Sequence, residues 1–226
     1  MSAIMARPGD LALAQLCARL YATTAPGDWR RIWLPEDDDG VCVALAHIGD
    51  WDVVVDRGST TLQDWLRDFQ ALPHAVIDHP LLGPVHPGFL AGMDRSVDAV
   101  LPFLGANVIC IGHSLAAARC QMRAALMKAL GRAPVFLMAI APPRVGFQPF
   151  VDYVAGIDAV AWRNGDSHHR DLVTELPFSL PGFPFAQRPL TDIYAPPPAN
   201  DEWGLLAWHH LELYIAGIAV REAVAA

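Results

Sequence analysis

Residues 107–121 read NVICIGHSLAAARCQ, and this stretch decides the expected fold. Residues 108–111 are an apolar run that is typical of a buried strand, and strong helix formers begin at Leu115. A sharp turn between a strand and a helix, with a serine at its apex, is the arrangement of a nucleophile elbow. The sequence therefore predicts that Ser114 presents its hydroxyl group at the end of a buried strand.

Small residues flank this serine on both sides. A serine in such a turn is strained and its neighbours lie close to the strand and the helix, so large side chains at positions 112 and 116 would clash. The chain has Gly112 and Ala116 there, and Ala116 stands where the pattern G-x-S-x-G has its last glycine. The alternative interpretation is an ordinary helix with Ser114 near its N-cap.

Composition narrows the class of protein. With 226 residues, 53% of them hydrophobic, the chain can build a large core, and we expect a single domain over residues 1–226. The net charge of −8 and the lack of a basic stripe argue against nucleic-acid binding. No apolar run approaches the ~20 residues of a transmembrane segment. The first ten residues show no secretory signal pattern, which favours the cytoplasm over export.

Apolar periodicity predicts an alternation of helices and strands. Helices are expected over residues 11–21, 62–69, 88–104, 115–130, 147–156 and 204–220. Strands are expected over residues 41–48, 51–55, 106–111, 135–141 and 157–163, with irregular segments at 73–87 and 176–198. The first two strands form a hairpin. This order predicts an α/β fold with a mostly parallel central sheet flanked by helices.

Five segments resemble motifs of the class 3 lipases and occur in the order that this family has. They are residues 53–69 (VVVDRGSTTLQDWLRDF), 85–89 (VHPGF), 112–115 (GHSL), 143–146 (PRVG) and 171–177 (DLVTELP). The resemblance implies an α/β-hydrolase fold. It also implies ester hydrolysis by a Ser-Asp-His triad in that chain order, with Ser114 as the nucleophile.

The general base has two main candidates. Chain order leaves His168, His169, His209 and His210, because the family's histidine follows the nucleophile and the acid. The family pattern H-x-L-E-x-Y fits His209, whereas His210 followed by leucine resembles the H-L variant of fungal members. We favour His209 over His210 and interpret the pair at 168–169 as a solvated loop.

The orienting acid is assigned in the same way. Asp171 begins the segment that resembles D-x-V-x-x-L-P, and its task would be to accept the imidazole N–H of the base. Asp166 is the competitor, but it lies in an Asn-Gly-Asp turn that explains it without catalysis. Asp192 and Asp201 lack a matching context. We favour Asp171.

The oxyanion hole would combine two backbone donors. One is the N–H of Leu115, directly after the nucleophile. The other, implied by the resemblance, is Ser59 after the Arg-Gly pair. Asp56 departs from the family, which has an aromatic or apolar residue there. Its carboxylate could pair with Arg57 or another base, or mark altered packing beneath the hole.

The sequence defines the substrate-binding residues less closely than it defines the triad. Trp65 occupies the position of the fungal lid helix and is a candidate substrate-binding residue, although a core stripe explains the apolar side of residues 62–69 slightly better. Phe178, Phe183 and Phe185 lie among prolines and could form a rigid apolar rim. We expect small acyl esters or lipids of short to medium chain length as substrates, and a transient contact with a lipid interface is compatible with this.

These features predict a serine carboxylic-ester hydrolase, a lipase or esterase that works through an acyl-enzyme. The alternatives are another acyl hydrolase on the same triad, such as a thioesterase or amidase, and a catalytically inactive binding module. The presence of Ser114, Asp171 and His209 weighs against the inactive module. No metal and no organic cofactor are expected, because nucleophile, base, acid and oxyanion donors all lie within the chain. The four cysteines show no C-x-x-C spacing, which argues against zinc and thioredoxin-type chemistry.

Overall fold

The computed structural model describes residues 6–22, 29, 31–33, 42–58, 75–197 and 204–225. The strands in these residues are β1 (Arg31–Trp33), β2 (Cys42–Ile48), β3 (Trp51–Arg57), β4 (Ile77–His79), β5 (Gly83–Val85), β6 (Val108–His113), β7 (Phe136–Ile140), β8 (Ala159–Asn164) and β9 (Thr191–Ile193). The α-helices are α1 (Asp10–Ala22), α2 (Pro87–Leu90), α3 (Met93–Val100), α4 (Leu115–Ala129), α5 (Gln148–Val154) and α6 (Leu211–Ala225). Short 3-10 helices lie at Leu101–Phe103, Leu172–Glu175 and Gly204–His209.

Within the described part of the chain, seven strands form one sheet in the order β1-β2-β3-β6-β7-β8-β9. The first three strands pair antiparallel, and every pair from β3 to β9 is parallel. The predicted hairpin is confirmed, and Gly49 (φ 58°) opens the two-residue turn that joins β2 to β3. The mostly parallel sheet predicted from the sequence is therefore confirmed.

The sheet is buried on both faces because successive residues of a strand point to opposite sides. In β6, Val108 and Cys110 join one apolar cluster, whereas Ile109 and Ile111 join the other. The first cluster contains residues of α2 to α5, and the second contains residues of α1 and α6. A central strand that is buried at every position is what a sheet covered on both faces requires.

One glycine determines where α4 ends. Gly131 adopts a left-handed conformation (φ 69°), and its N–H donates to the carbonyl of Lys128. The N–H of Arg132 then reaches back to the carbonyl of Met127 over 2.8 Å. These two bonds form a Schellman motif, which ends the helix at the residue where the sequence predicts its end.

Two segments predicted to be irregular contain strands. The segment 73–87 includes the hairpin of β4 and β5, and Gly83, the first residue of β5, has φ 68°. The segment 176–198 includes β9, which pairs in parallel with residues 162–164 of β8. Both predictions of a purely irregular segment were wrong, because strands of three residues give too short a pattern for periodicity to detect.

Two predicted helices are interrupted. The helix expected over 88–104 is divided into α2 and α3 at Gly92, which has φ 70°, a conformation that ends a right-handed helix. The helix expected over 204–220 consists of a 3-10 helix up to His209 followed by α6 from Leu211. The helix predicted at 62–69 lies outside the described residues. None of the described helices combines the length and the apolarity that a membrane span requires.

Candidate active site

Ser114 lies between the end of β6 and the start of α4 in a strained backbone conformation. Its φ of 61° and ψ of −130° are rare for a residue with a side chain. A Cβ atom at Gly112 would lie 2.2 Å from the carbonyl oxygen of Ala116, so only glycine fits at that position. The Ser114 side chain makes no capping hydrogen bond to α4. The turn therefore has the geometry of a nucleophile elbow rather than that of an N-capped helix.

Asp171 and His209 are brought together from positions 38 residues apart in the sequence. Asp171 follows β8 at the start of the 3-10 helix Leu172–Glu175, and His209 ends the 3-10 helix that precedes α6. The Oδ2 atom of Asp171 lies 2.6 Å from Nδ1 of His209, and both side chains are buried. Because the carboxylate accepts, Nδ1 carries the proton of this bond and Nε2 is left as the basic nitrogen.

Two further donors fix the carboxylate of Asp171. The N–H of Val173 donates to Oδ1 over 2.9 Å, and the hydroxyl of Tyr214 donates to Oδ2 over 2.6 Å. Burial, and after it the negative charge of Asp171, raises the pKa of Tyr214 well above its ordinary value. The hydroxyl therefore stays protonated and remains a donor. The carboxylate is held in one orientation toward the imidazole of His209.

The other ring nitrogen of His209 has no partner in the part of the chain that the structure describes. Its Nε2 is buried and makes no hydrogen bond within the described structure. The neighbouring His113, directly before Ser114, donates from its own Nε2 to the carbonyl oxygen of His209 over 3.0 Å, and the two rings lie 4.8 Å apart. The elbow and the segment that carries His209 are thus in direct contact. A buried nitrogen without a partner among the described residues, on a histidine that contacts the residue before Ser114, is the arrangement expected of a general base that awaits a proton.

His113 is held in its neutral form. Burial, and after it the proximity of His209, lowers the pKa of His113 well below its ordinary value. A neutral imidazole carries one N–H, and the carbonyl contact places that proton on Nε2. His113 therefore supports the backbone of His209 without adding a positive charge beside it.

Asn164, the last residue of β8, connects the acid segment to the base segment. Its side-chain amide donates to the carbonyl oxygens of Ala195 and Trp208, and its backbone N–H donates to the hydroxyl of Tyr214. The carbonyl of Asn164 in turn accepts from the N–H of Asp171 over 2.9 Å. This residue is fully buried. It was not singled out from the sequence, because its partners are spread over residues 171–214.

The strand that leads toward the predicted oxyanion donor is tied to the elbow. The hydroxyl of Tyr21, from α1, accepts from the N–H of Gly58 over 3.0 Å and donates to the carbonyl oxygen of His113 over 3.3 Å. A Cβ atom at Gly58 would lie 2.5 Å from that hydroxyl oxygen and 3.1 Å from the carbonyl oxygen of His113. Gly58 therefore allows the end of β3 to approach the elbow closely. Tyr21 was not predicted from the sequence.

The remaining predicted site residues fall into three groups. Leu115 is the first residue of α4, so its N–H belongs to the helix N–H groups that have no acceptor within the helix. Ser59 and Trp65 lie outside the described residues. Among the alternatives, Asp166 accepts from the N–H groups of His168 and His169 over 2.7 Å in an exposed turn.

Two other acidic residues were considered from the sequence. Asp192 lies in β9 and makes an exposed ion pair with Arg163, and its carboxylate has no contact with His209. Asp201 lies outside the described residues. Asp171 is the acid whose buried carboxylate contacts the imidazole of His209 in the described structure.

The three phenylalanines of the predicted rim differ in exposure. Phe185 is buried, with its ring near those of His86 and Phe147. Phe178 is 57% exposed and Phe183 is 37% exposed. The rim expected from the sequence therefore consists of two exposed rings, whereas the third belongs to the interior. Within the described ranges, His, Cys, Asp and Glu side chains form no group of three suited to a metal ion.

Comparison with known proteins identifies the family. The family model "Lipase (class 3)" matches residues 53–180, which is more than half of the chain. Comparison with curated proteins gives no match.

Three solved structures illustrate the likeness of the fold. The triacylglyceride lipase of Rhizomucor miehei is 23% identical, with a TM-score of 0.65 over 82% of this chain and 79% of that one. A triacylglycerol lipase whose catalytic centre is described as a serine protease triad is 20% identical, with a TM-score of 0.65 over 90% and 91%. The triacylglycerol lipase of Penicillium expansum is 19% identical, with a TM-score of 0.58 over 84% and 82%. The fold is the α/β-hydrolase fold, and the chain belongs to the class 3 lipase family of serine ester hydrolases.

Proposed function

We propose that Ser114, His209 and Asp171 form the catalytic triad and that the chain hydrolyses acyl esters of short to medium chain length. One observation carries the proposal. The Oδ2 atom of Asp171 lies 2.6 Å from Nδ1 of His209, while Nε2 of the same ring is buried without a partner among the described residues.

The first half of the reaction forms an acyl-enzyme. His209 Nε2 takes the proton of the Ser114 hydroxyl as Oγ attacks the carbonyl carbon of the ester. Asp171 holds the Nδ1–H and stabilises the imidazolium that forms. The imidazolium then gives its proton to the leaving alcohol oxygen, the C–O bond breaks, and the acyl group stays on Ser114. In the second half, His209 activates a water molecule in the same way and the carboxylic acid is released.

The developing negative charge on the carbonyl oxygen needs donors that are already in place. The N–H of Leu115 at the start of α4 is one candidate, because the first N–H groups of a helix are available to an anion. Ser59 is proposed as the second donor on the basis of the family motif. Each donor of this kind contributes about 3 kcal/mol to transition-state stabilisation.

The proposed chain length rests on the exposed apolar rings of the loop that follows the acid segment. Phe185 packs in the interior, so the exposed rings of Phe178 and Phe183 offer a small apolar surface for an acyl chain. Each methylene that becomes buried contributes at most ~0.8 kcal/mol to binding. Binding should therefore improve over a few methylenes and then stop improving.

The assignment of the nucleophile is tested by labelling. The protein is treated with a fluorescent alkyl phosphonate, digested, and the modified peptide is identified by mass spectrometry, with Ser114→Ala as the control. We expect one label on Ser114, and Ser114→Ala should fold with an unchanged circular dichroism spectrum but lose hydrolysis of p-nitrophenyl butyrate. Retention of more than a few per cent of wild-type activity in pure Ser114→Ala would refute the proposal.

The assignment of the base is tested by two adjacent variants. His209→Ala should lower kcat by several orders of magnitude, because triad members act as a unit. His210→Ala should have a much smaller effect, because the Asp171 carboxylate contacts His209. A reversed order of the two effects would assign the base to His210, and two small effects would exclude the triad altogether. Parallel assays with the matching thioester and anilide distinguish an esterase from a thioesterase or an amidase.

A further inference from the structure

A buried ion pair joins β3 to α4, the helix that begins directly after Ser114. Nε and Nη2 of Arg123 donate to the two carboxylate oxygens of Asp56 over 3.0 and 2.6 Å, and Nη2 also donates to Oγ of Ser96 over 2.7 Å. Asp56 is 1% exposed and Arg123 is 0% exposed. Burial lowers the pKa of Arg123, but the charge of Asp56 and its hydrogen bonds raise it by more, so the pKa lies above its ordinary value and the guanidinium stays charged.

The pair connects the two elements that surround the elbow. Asp56 is next to last in β3 and lies opposite Gly112 in the parallel pairing of β3 with β6. Arg123 lies in α4, the helix that begins directly after Ser114. The bidentate contact therefore ties the carboxyl end of β3 to the helix that carries the nucleophile.

The segment between this ion pair and the predicted oxyanion donor is short. Gly58 follows Asp56 by two residues, and its N–H is held by the hydroxyl of Tyr21. That hydroxyl also contacts the carbonyl oxygen of His113. Residues 56–58, at the end of β3, are therefore held by two separate contacts. Arg123 of α4 holds Asp56, and Tyr21 of α1 holds Gly58 while it contacts the elbow carbonyl of His113.

A contribution to stability alone does not account for a fully buried ion pair. Desolvation of two charges offsets most of their attraction, and apolar residues of similar volume often serve the fold as well or better. The class 3 motif has an aromatic or apolar residue at the position of Asp56. What a bidentate carboxylate–guanidinium contact adds is direction, because two parallel hydrogen bonds allow only one relative orientation of the groups.

We infer that Asp56 and Arg123 are positioning residues for ester hydrolysis, which hold the end of β3 in the orientation that the oxyanion hole requires. The inference rests on the proposed function. The ion pair does not touch the reacting atoms. It acts through the backbone from Asp56 to Gly58, and its loss should weaken the stabilisation of the oxyanion more than it weakens substrate binding.

The test is a double variant that removes both charges at nearly constant volume, Asp56→Leu with Arg123→Met. We expect it to fold with a melting temperature close to or above that of the wild type, since no unpaired charge remains. For p-nitrophenyl butyrate, kcat should fall about 10- to 100-fold, because a displaced oxyanion donor is costly, while KM changes less than about two-fold.

A second measurement separates the oxyanion hole from a general loss of order. The rate with an ester is compared with the rate for the matched thionoester, whose carbonyl sulfur is a weaker hydrogen-bond acceptor. A displaced oxyanion hole should lower the ester rate more than the thionoester rate, so the ratio of the two rates falls. Asp52→Asn is the matched control, because Asp52 is a buried carboxylate at the other end of the same strand. It should leave the ratio unchanged.

The outcomes are distinct. An unchanged kcat in the double variant, or an equal fall with ester and thionoester, would overturn the positioning role. If the double variant does not fold, Arg123→Lys decides, since it keeps the charge but loses the bidentate contact. A lower ester to thionoester ratio in Arg123→Lys supports the inference, and an unchanged ratio overturns it. Failure of the proposed function itself would appear earlier, as a wild-type protein that alkyl phosphonate does not label at Ser114.

Discussion

Tyr214 and His209 contact the same oxygen atom of the catalytic acid candidate. Both place a donor 2.6 Å from Asp171 Oδ2, one through a hydroxyl and the other through Nδ1. The hydroxyl also accepts from the N–H of Asn164 over 3.0 Å. A single phenolic oxygen thus connects the end of β8, the acid and α6, and its removal affects both stability and the orientation of the acid.

Tyr214→Phe is expected to lower the free energy of unfolding by about 1–3 kcal/mol, because the buried N–H of Asn164 loses its acceptor. It should also lower kcat, by less than His209→Ala does, since the Nδ1 contact of Asp171 remains. Urea unfolding and steady-state kinetics measure the two effects. Tyr194→Phe, at a residue that is 58% exposed, is the matched control and should change neither. Equal stability of Tyr214→Phe and wild type would contradict the role of the hydroxyl.

His113 gives a prediction about acid stability. Its pKa in the folded protein is lowered by burial and by His209, whereas in the unfolded chain it is near 6.5. Above pH 6.5 both states are neutral and the contribution of His113 to stability is complete. Below pH 6.5 the unfolded chain binds a proton that the folded protein does not bind, so stability falls with falling pH, by up to about 1.4 kcal/mol per pH unit, until the pH reaches the folded pKa.

The variant His113→Gln should remove this contribution. Its free energy of unfolding should therefore depend less steeply on pH between about 6.5 and 5 than that of the wild type. Urea unfolding at a series of pH values measures the slope. His168→Gln, which removes an exposed imidazole from the loop after β8, is the control for the substitution. A slope in His113→Gln that equals the wild-type slope would refute the prediction.

At the scale of elements, Gly112 near the end of β6 and Gly131 after α4 are expected to differ greatly in how well they tolerate substitution. A Cβ atom at Gly112 would lie 2.2 Å from the carbonyl oxygen of Ala116, whereas one at Gly131 would have no atom within 4 Å. Gly131→Ala should therefore lower the free energy of unfolding by only about 1 kcal/mol, because alanine is strained in a left-handed backbone conformation. Activity should be unchanged. Gly112→Ala should displace the elbow, abolish labelling of Ser114 and lower stability by more than about 3 kcal/mol. Thermal unfolding and phosphonate labelling compare the two variants.

The elements also show why some features were predictable. The strand β6, the elbow and α4 are local features, in which apolar periodicity and small residues act within a few positions. The acid and base segments were found through motifs whose order along the chain is fixed. The contacts of Tyr21 with Gly58, and of Arg123 with Asp56, join residues that are 37 and 67 positions apart. No local pattern encodes such pairs, because they depend on how the sheet and the helices pack. Asp56 alone gave a signal, as a charge in a buried strand.

At the scale of the whole molecule, the candidate site is assembled where parallel strands end. Ser114 follows β6, Gly58 follows β3 and Asp171 follows β8, so the carboxyl ends of three parallel strands meet at one edge of the sheet. The sequence predicted the mostly parallel sheet from the order of strands and helices. The short strand β9 was missed, and it extends the sheet beside β8 without adding a proposed catalytic residue.

Substrate preference is a property of the complete surface. We expect kcat/KM for p-nitrophenyl esters to rise from acetyl to about butyryl or octanoyl and then to fall, since each buried methylene adds at most ~0.8 kcal/mol until the apolar surface ends. We also expect no sudden increase in rate when the substrate exceeds its solubility limit. Initial rates over a concentration series on both sides of that limit provide the measurement. A steep increase on emulsified long-chain triglycerides would contradict this prediction and would favour a lid function for residues 62–69.

The ion pair of Asp56 and Arg123 also constrains how this sequence can change over time. Replacement of either residue alone leaves one buried charge without its counterion, at a cost of about 3–5 kcal/mol, which is a large part of the stability of a typical domain. Replacement of both together carries no such cost. Random mutagenesis scored for folded protein should therefore yield variants at these two positions mainly as coupled double substitutions, and single-codon libraries scored in the same way should find both positions nearly invariant. Any lineage that exchanges this ion pair for apolar residues must pass through an unstable intermediate or change both codons at once.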